Sequence, residues 1–168
     1  MLPTMTGNRS TRRRVLGAVG AGAVTALAGC GDITGSDAPD YESGEIGDID
    51  GEDRSAEEMT AAESLAEIQP NEGVTTLESL SLEDHEFVLE DDYRGATVQG
   101  TVENTGDDRI QLVEIRVRVY NDEGEQVGRY LDVGGDLDPG ASWSFTAIIL
   151  EPLADIDEYE VAAIGTPA

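Results

Sequence analysis

Residues 73–168 predict an all-β domain, an antiparallel sandwich of about six or seven strands. Three observations predict it. Val113, Ile115, Val117 and Val119 alternate with Glu114, Arg116, Arg118 and Tyr120, the period-two pattern of a strand with unlike faces. Turn-forming clusters recur at Asn104–Asp108, Asn121–Gly124 and Asp138–Ala141. From about Gly73 the chain becomes rich in short β-branched runs, after a long acidic stretch.

Leu80–Leu89 gives the first strand region. Ala96, Val98, Gly100 and Val102 then alternate with Thr97, Gln99, Thr101 and Glu103, ending at the Asn104–Asp108 turn. Ile110 and Leu112 have the opposite parity to Val113–Val119, which predicts a bulge or a twist near Leu112. Asn121-Asp122-Glu123-Gly124 is a hairpin signal, with Gly124 available for positive φ. Gln126–Val133 returns, and Asp138-Pro139-Gly140-Ala141 turns again. Trp143, Phe145, Ala147 and Ile149 share one face of the next strand; Tyr159, Val161 and Ala163 share one face of the last. Ile148 and Leu150 take the other parity, either under a helix or as an exposed apolar patch. The size and strand count are those of an immunoglobulin-like sandwich. The chain has a single cysteine, so apolar burial must stabilise the domain in place of an inter-sheet disulfide. Trp143 and Phe145 are its largest expected contributors.

The N-terminal third reads differently. In "TRRRVLGAVGAGAVTALAGCGD" a cluster of arginines precedes a largely apolar run 14 residues long, Val15–Ala28, and the sole cysteine follows. A spanning helix needs about 20 such residues. A basic start, a short apolar middle and small residues at the exit are the parts of an export signal. Arg12 and Arg13 resemble the paired arginines of twin-arginine signals. Leu27-Ala28-Gly29-Cys30 resembles a lipobox, which implies cleavage after Gly29 and a covalent lipid on Cys30. Residues 1–29 are thus expected to be a signal peptide. Residues 30–72 are expected to be a lipidated N-terminus and acidic disordered linker. Gly31–Glu72 holds 14 acids and one arginine, Arg54. A capping box at Ser55-Ala56-Glu57-Glu58 predicts a short helix within it, over 56–68, stopped by Pro70.

The chain has 36 acids, 10 arginines, no lysine and a formal net charge of −26. Removing residues 1–29 takes away four arginines and no acid, leaving 36 acids against six arginines, a net charge of −30. Such self-repulsion strains a compact state unless salt screens it. The composition resembles that of proteins from salt-loving archaea, a reading favoured by the spread of acids along residues 30–168; the alternative is an acidic protein that recruits cations or basic partners. A basic surface for phosphate neutralisation is missing, which excludes nucleic acid as a partner.

"GTVENTGDDRIQLVEIRVRVYNDEGEQVG" and "LDPGASWSF" resemble FxLYD-type domains, β-sandwiches of secreted and lipid-anchored prokaryotic proteins. The shared features are Gly100, Val102, Asn104 and Thr105 at a strand end, a strand running into a Gly-containing hairpin, and a Pro-Gly turn before an aromatic strand. Val117-Arg118-Val119-Tyr120-Asn121 stands where F-x-L-Y-D is expected. The resemblance covers about residues 77–165 and implies no catalytic activity.

The residues favour no enzyme either. Blue-copper and zinc sites need more His and Cys than His85 and Cys30 supply. A serine triad would have to use His85, and no nucleophile-elbow motif accompanies it. The acidic turns "DIDGED" and "NDEGE" do not match a calcium loop and read as solvated turns. Arg116 and Arg118 read as an ion-paired outer face beside Glu114. The expected product is a non-enzymatic protein on the outer face of the cell membrane, held by its lipid, without metal or other cofactor. It would bind an envelope protein or serve a larger envelope complex. The alternative is a small-ligand or solute-binding component of a transporter.

Overall fold

A computed structural model describes residues 38–168. The residues expected to serve export and lipidation, Arg12, Arg13, Leu27, Ala28, Gly29 and Cys30, lie outside the described residues.

The elements are β1 (Glu42–Glu45), α1 (Ala56–Leu65), β2 (Leu80–Leu89), β3 (Ala96–Asn104), β4 (Ile110–Tyr120), β5 (Gln126–Leu137), β6 (Ser142–Ile148) and β7 (Glu158–Pro167). They form two antiparallel sheets, in the orders β1-β7-β4-β5 and β2-β3-β6. This is the expected all-β, immunoglobulin-like sandwich, with seven strands. In immunoglobulin domains the last strand of the chain holds the outer place beside its predecessor. Here β7 is the last strand and lies inside its sheet, and β1 holds the outer place.

The strand patterns turn into faces as expected. Val113, Ile115, Val117 and Val119 are buried between the sheets with Val98, Val102, Phe145, Ala147, Tyr159 and Val161. The register between β4 and β7 shifts between Ile110 and Leu112, the expected bulge. Gly124 and Gly140 carry φ of 77° and 71° at the two turns that need left-handed backbone. Trp143 is only half-buried; Tyr159 is the largest fully buried side chain. Ile148 is buried and Leu150 half-buried against the core, so neither adds to an exposed patch.

Asn104 and Gly100 each hold the sandwich together locally. The buried Asn104 amide donates to the carbonyls of Asp108 (2.8 Å) and Leu137 (3.0 Å), and its oxygen accepts from Gly106 N–H (3.1 Å). One side chain thereby fixes a turn and the end of β5. A Cβ at Gly100 would sit 2.7 Å from the Phe145 ring, so glycine lets that ring pack on β3.

The expected disordered linker is corrected over its described part. Residues 38–72 belong to the same compact unit as the sandwich. β1 pairs with β7 from Glu42↔Val161 to Glu45↔Glu158. Arg54 donates to the carbonyls of Tyr93 (2.9 Å), Arg94 and Ala96 (3.1 Å), clipping the chain to the β2–β3 turn. α1 starts at the expected capping box, with Ser55 and Glu58 bonded reciprocally, but ends at Leu65 rather than Ile68. The chain then turns extended because Glu67 pairs with Leu131 of β5, whose N–H donates to the Glu67 carbonyl (2.9 Å). Asn71 reaches Glu114 of β4, and Thr75 pairs with Gly165 of β7. The segment is thus strapped onto the sandwich: residues 67–75 cross the outer face of the four-stranded sheet from β5 to β7, and β1 and Arg54 fasten its earlier part to that sheet's edge and to the β2–β3 turn. The folded body therefore begins well before Gly73.

Candidate functional site

His85, the chain's one imidazole, is half-buried on β2. Its Nδ1 lies 2.8 Å from the Tyr159 hydroxyl, and the rings meet edge to face at 5.5 Å. Burial, with the Glu86 charge adding to it, pushes the Tyr159 phenol up to about 12. The phenol therefore stays protonated at ordinary pH and is hydrogen-bonded to the imidazole through Nδ1. Nε2 faces Glu42 of β1 at 3.8 Å. Nδ1 thus joins β2 to β7 inside the other sheet, and Nε2 faces β1 at that sheet's edge. The arrangement is a clasp between sheets, with the imidazole occupied in holding it.

Arg116 and Arg118 share a face with Glu114, as expected, but that face is covered. Glu114 is fully buried, accepts from Arg116 Nε at 2.6 Å, and accepts from both the backbone and side-chain N–H of Asn71 at 2.7 and 2.9 Å. Its row across the sheet continues into Ile164, and the Arg116 row into Leu131 and Ala162. The strap shields these rows, so this is a buried ion pair rather than a solvated one. Arg118 stacks 3.9 Å over the Tyr41 ring and lies 4.0 Å from Glu160.

The second clasp lies at the opposite edge. Asp132 points inward from β5 and accepts from Thr146 N–H of β6 (2.7 Å) and from Val133 N–H (2.9 Å). Burial raises the Asp132 pKa and the two amide donors oppose that shift; Glu67 adds a smaller upward push. An inward charge on an edge strand also disfavours uncontrolled strand pairing there.

Past this clasp a cavity of about 270 Å³ opens between β5 and β6. Val113, Leu137, Ala141 and Trp143 supply its apolar wall, and Gly134 and Gly135 leave its side open. A Cβ at Gly134 would lie 2.7 Å from the indole, so the glycine allows Trp143 to rest on the β5 backbone. Asp136, at φ 55°, turns the strand at the rim and pairs with Arg109 at 2.8 Å. The arrangement offers an aromatic wall, a small apolar recess and a charged rim. Sequence reasoning named Trp143 for the core and missed the recess. The adjacent Gly134-Gly135 within a strand was the available signal.

A larger open cleft, about 710 Å³, lies between residues 45–53 and 153–158. Glu45, Asp48, Asp53, Asp157 and Glu158 line it, and Asp53 accepts from Leu153 N–H at 2.8 Å. The "DIDGED" turn contributes to this cleft. The "NDEGE" turn is closed on itself, with Asn121 Oδ1 accepting from the N–H groups of Glu123 and Glu125.

The fold and its clasps define an antiparallel β-sandwich with a strapped outer face. No family model matches the chain. It is similar to an uncharacterized protein of Methanocaldococcus jannaschii, 34% identical over 87 residues that span 51% of this chain and 62% of that protein. The chain thus covers less than two thirds of the length of that relative. No solved structure matches it.

Proposed function

We propose that the chain is an exported lipoprotein of a salt-loving cell, a non-enzymatic binding or accessory module held by lipid on Cys30. The observation that carries this reading is the position of the only cysteine. It follows the short apolar run at Leu27-Ala28-Gly29, and paired Arg12 and Arg13 precede that run. Two acyl chains on one cysteine would suffice for stable anchoring, where a single chain gives only marginal binding.

The strap changes what such an anchor does. Seven residues separate Cys30 from Ala38. Fully extended, they reach about 25 Å at most. A lipid on Cys30 would therefore hold the sandwich against the membrane surface, where a flexible leash running to Glu72 would let it roam. That geometry suits an accessory subunit that meets its partner in the plane of the membrane.

Replacing Cys30 by Ser should release the protein from the membrane fraction into the medium. Continued retention refutes the lipid anchor. Changing Arg12 and Arg13 to Lys should block export, and normal delivery to the surface refutes the twin-arginine route.

A further inference from the structure

Beyond the Asp132–Thr146 clasp, part of the β5 edge is unpaired. Strand parity fixes which groups face outward. Leu131 N–H points away from β4, to Glu67, so the backbone groups of Val133 and Gly135 point away as well. Asp132 takes the Val133 N–H. Among the described residues, neither the N–H nor the C=O of Gly135 has a partner off this edge. Gly135 is exposed, and the nearest atom to a Cβ placed there is 3.5 Å away.

A strand added here would place one residue opposite Gly134. Residues opposite one another share a face. Gly134 faces inward, in the row of Val113, so the added residue would direct its side chain into the recess beside Trp143. A cavity of about 270 Å³ is smaller than the usual 300–1,000 Å³ of whole-ligand sites and suits one large side chain. Asp138 borders the edge, Asp136 beside it is already paired with Arg109, and the surplus of 36 acids over 10 arginines in the chain favours a cationic partner.

We infer that the Val133–Asp136 edge takes an extended segment of a partner protein by strand addition, with one aromatic or branched apolar side chain in the Trp143 recess and Lys or Arg beside it. Main-chain bonds to Gly135 supply affinity, and the recess supplies selectivity. The inference rests on the binding-module reading and names its surface.

The test uses the full chain and the peptides KTVFVTK and KTVAVTK. Trp143 is the only tryptophan, so its emission reports the recess directly. KTVFVTK should shift that emission saturably and slow exchange of the Gly135 amide. The Phe-to-Ala peptide should bind about tenfold more weakly or worse. Gly135→Pro removes the outward donor, and Ala141→Leu fills the recess; each should weaken KTVFVTK about tenfold, with thermal melts confirming the fold. No saturable shift at millimolar peptide overturns the proposal. So does equal binding of both peptides. Equal binding of the free amide N-acetylphenylalaninamide would make the recess a small-molecule site, and concentration-dependent dimerisation abolished by Gly135→Pro would make the edge a self-contact; either overturns the proposal. None of these results bears on release of Cys30→Ser from the membrane, so the anchor reading fails or survives separately.

Discussion

The Tyr159 ring lies across Gly44 of β1, where any Cβ would overlap it. The two residues are register partners, and the phenol continues past β1 to His85 of β2. The glycine therefore lets one side chain cross its own sheet edge and reach the other sheet. Gly44→Ala forces the ring or β1 to move. We expect a loss of about 1–3 kcal/mol, the usual cost of overpacking. Amide exchange should quicken at Glu42 and Gly44. Gly47→Ala is the control, with open space at its Cβ, and should change stability by less than about 0.5 kcal/mol. Urea titration measures both. Equal stability of the two variants would contradict the crossing.

Arg116→Ala removes the partner of a carboxylate with no exposed surface. Leaving a buried charge unpaired costs about 3–5 kcal/mol. Asn71→Ala should cost about 1–3 kcal/mol, because its side-chain donor to the same carboxylate is lost while the backbone donor stays. The double variant should depart from additivity by at least about 0.5 kcal/mol, since both residues serve Glu114. Additive losses would mean that the strap and the ion pair are independent.

The strands were legible because their signals are local. Period-two alternation at Val113–Val119, glycine at the left-handed turn positions and the parity break at Leu112 each act through a few neighbouring residues. The strap was not legible, because what holds it is not a run of apolar side chains. β1 is held by main-chain pairing, which leaves no mark in "ESGE". Arg54 is held by three carbonyls of a distant turn, and Asn71 by a carboxylate 43 residues away. Two signals pointed to it. Arg54 is the lone cation in an acidic stretch, and β7 is apolar on both faces, with Val161 and Ala163 on one and Ala162 and Ile164 on the other. A strand apolar on both faces requires a second cover. The recess beside Trp143 was hidden for the opposite reason: it is made by what two glycines lack.

Glu151 gives the chain a pH-dependent weakness. Its Oε2 is buried without a hydrogen-bond partner. Burial raises its pKa, the bond from its own amide opposes this, and Asp155 raises it further. A carboxyl raised in the folded state contributes stability below its unfolded pKa and loses it as pH rises through the folded value. Glu151→Gln should therefore be the more stable form at pH 7. Solvent screens this partly exposed group, so the gain should stay below about 1 kcal/mol. The gain should shrink to nothing as pH falls below about 4, where the wild-type carboxyl is protonated too. Melting curves at pH 4 and pH 7 test the sign. A larger advantage at pH 4 would reverse it.

Salt should act on the molecule through its many unpaired carboxylates. Glu114, Asp92, Asp136, Glu90 and Glu160 have arginine partners within 4.0 Å, yet the chain has 36 acids and 10 arginines. Most of the negative charge therefore repels itself across the sandwich and along the strap. Raising NaCl from 0.1 to 1 M shortens the screening length from about 10 to about 3 Å. We expect the melting temperature to rise by several degrees, with β1 and the strap gaining the most amide protection because their acids lie beside those of β7 and the β2–β3 turn. Hydrophobic salting effects would raise stability at every pH. Relief of carboxylate repulsion would not, since protonation already removes that repulsion. The salt-induced rise should therefore be large at pH 7 and small at pH 4. An equal rise at both would assign the effect to burial of apolar surface and remove the physical basis for reading the acidic composition as an adaptation to salt.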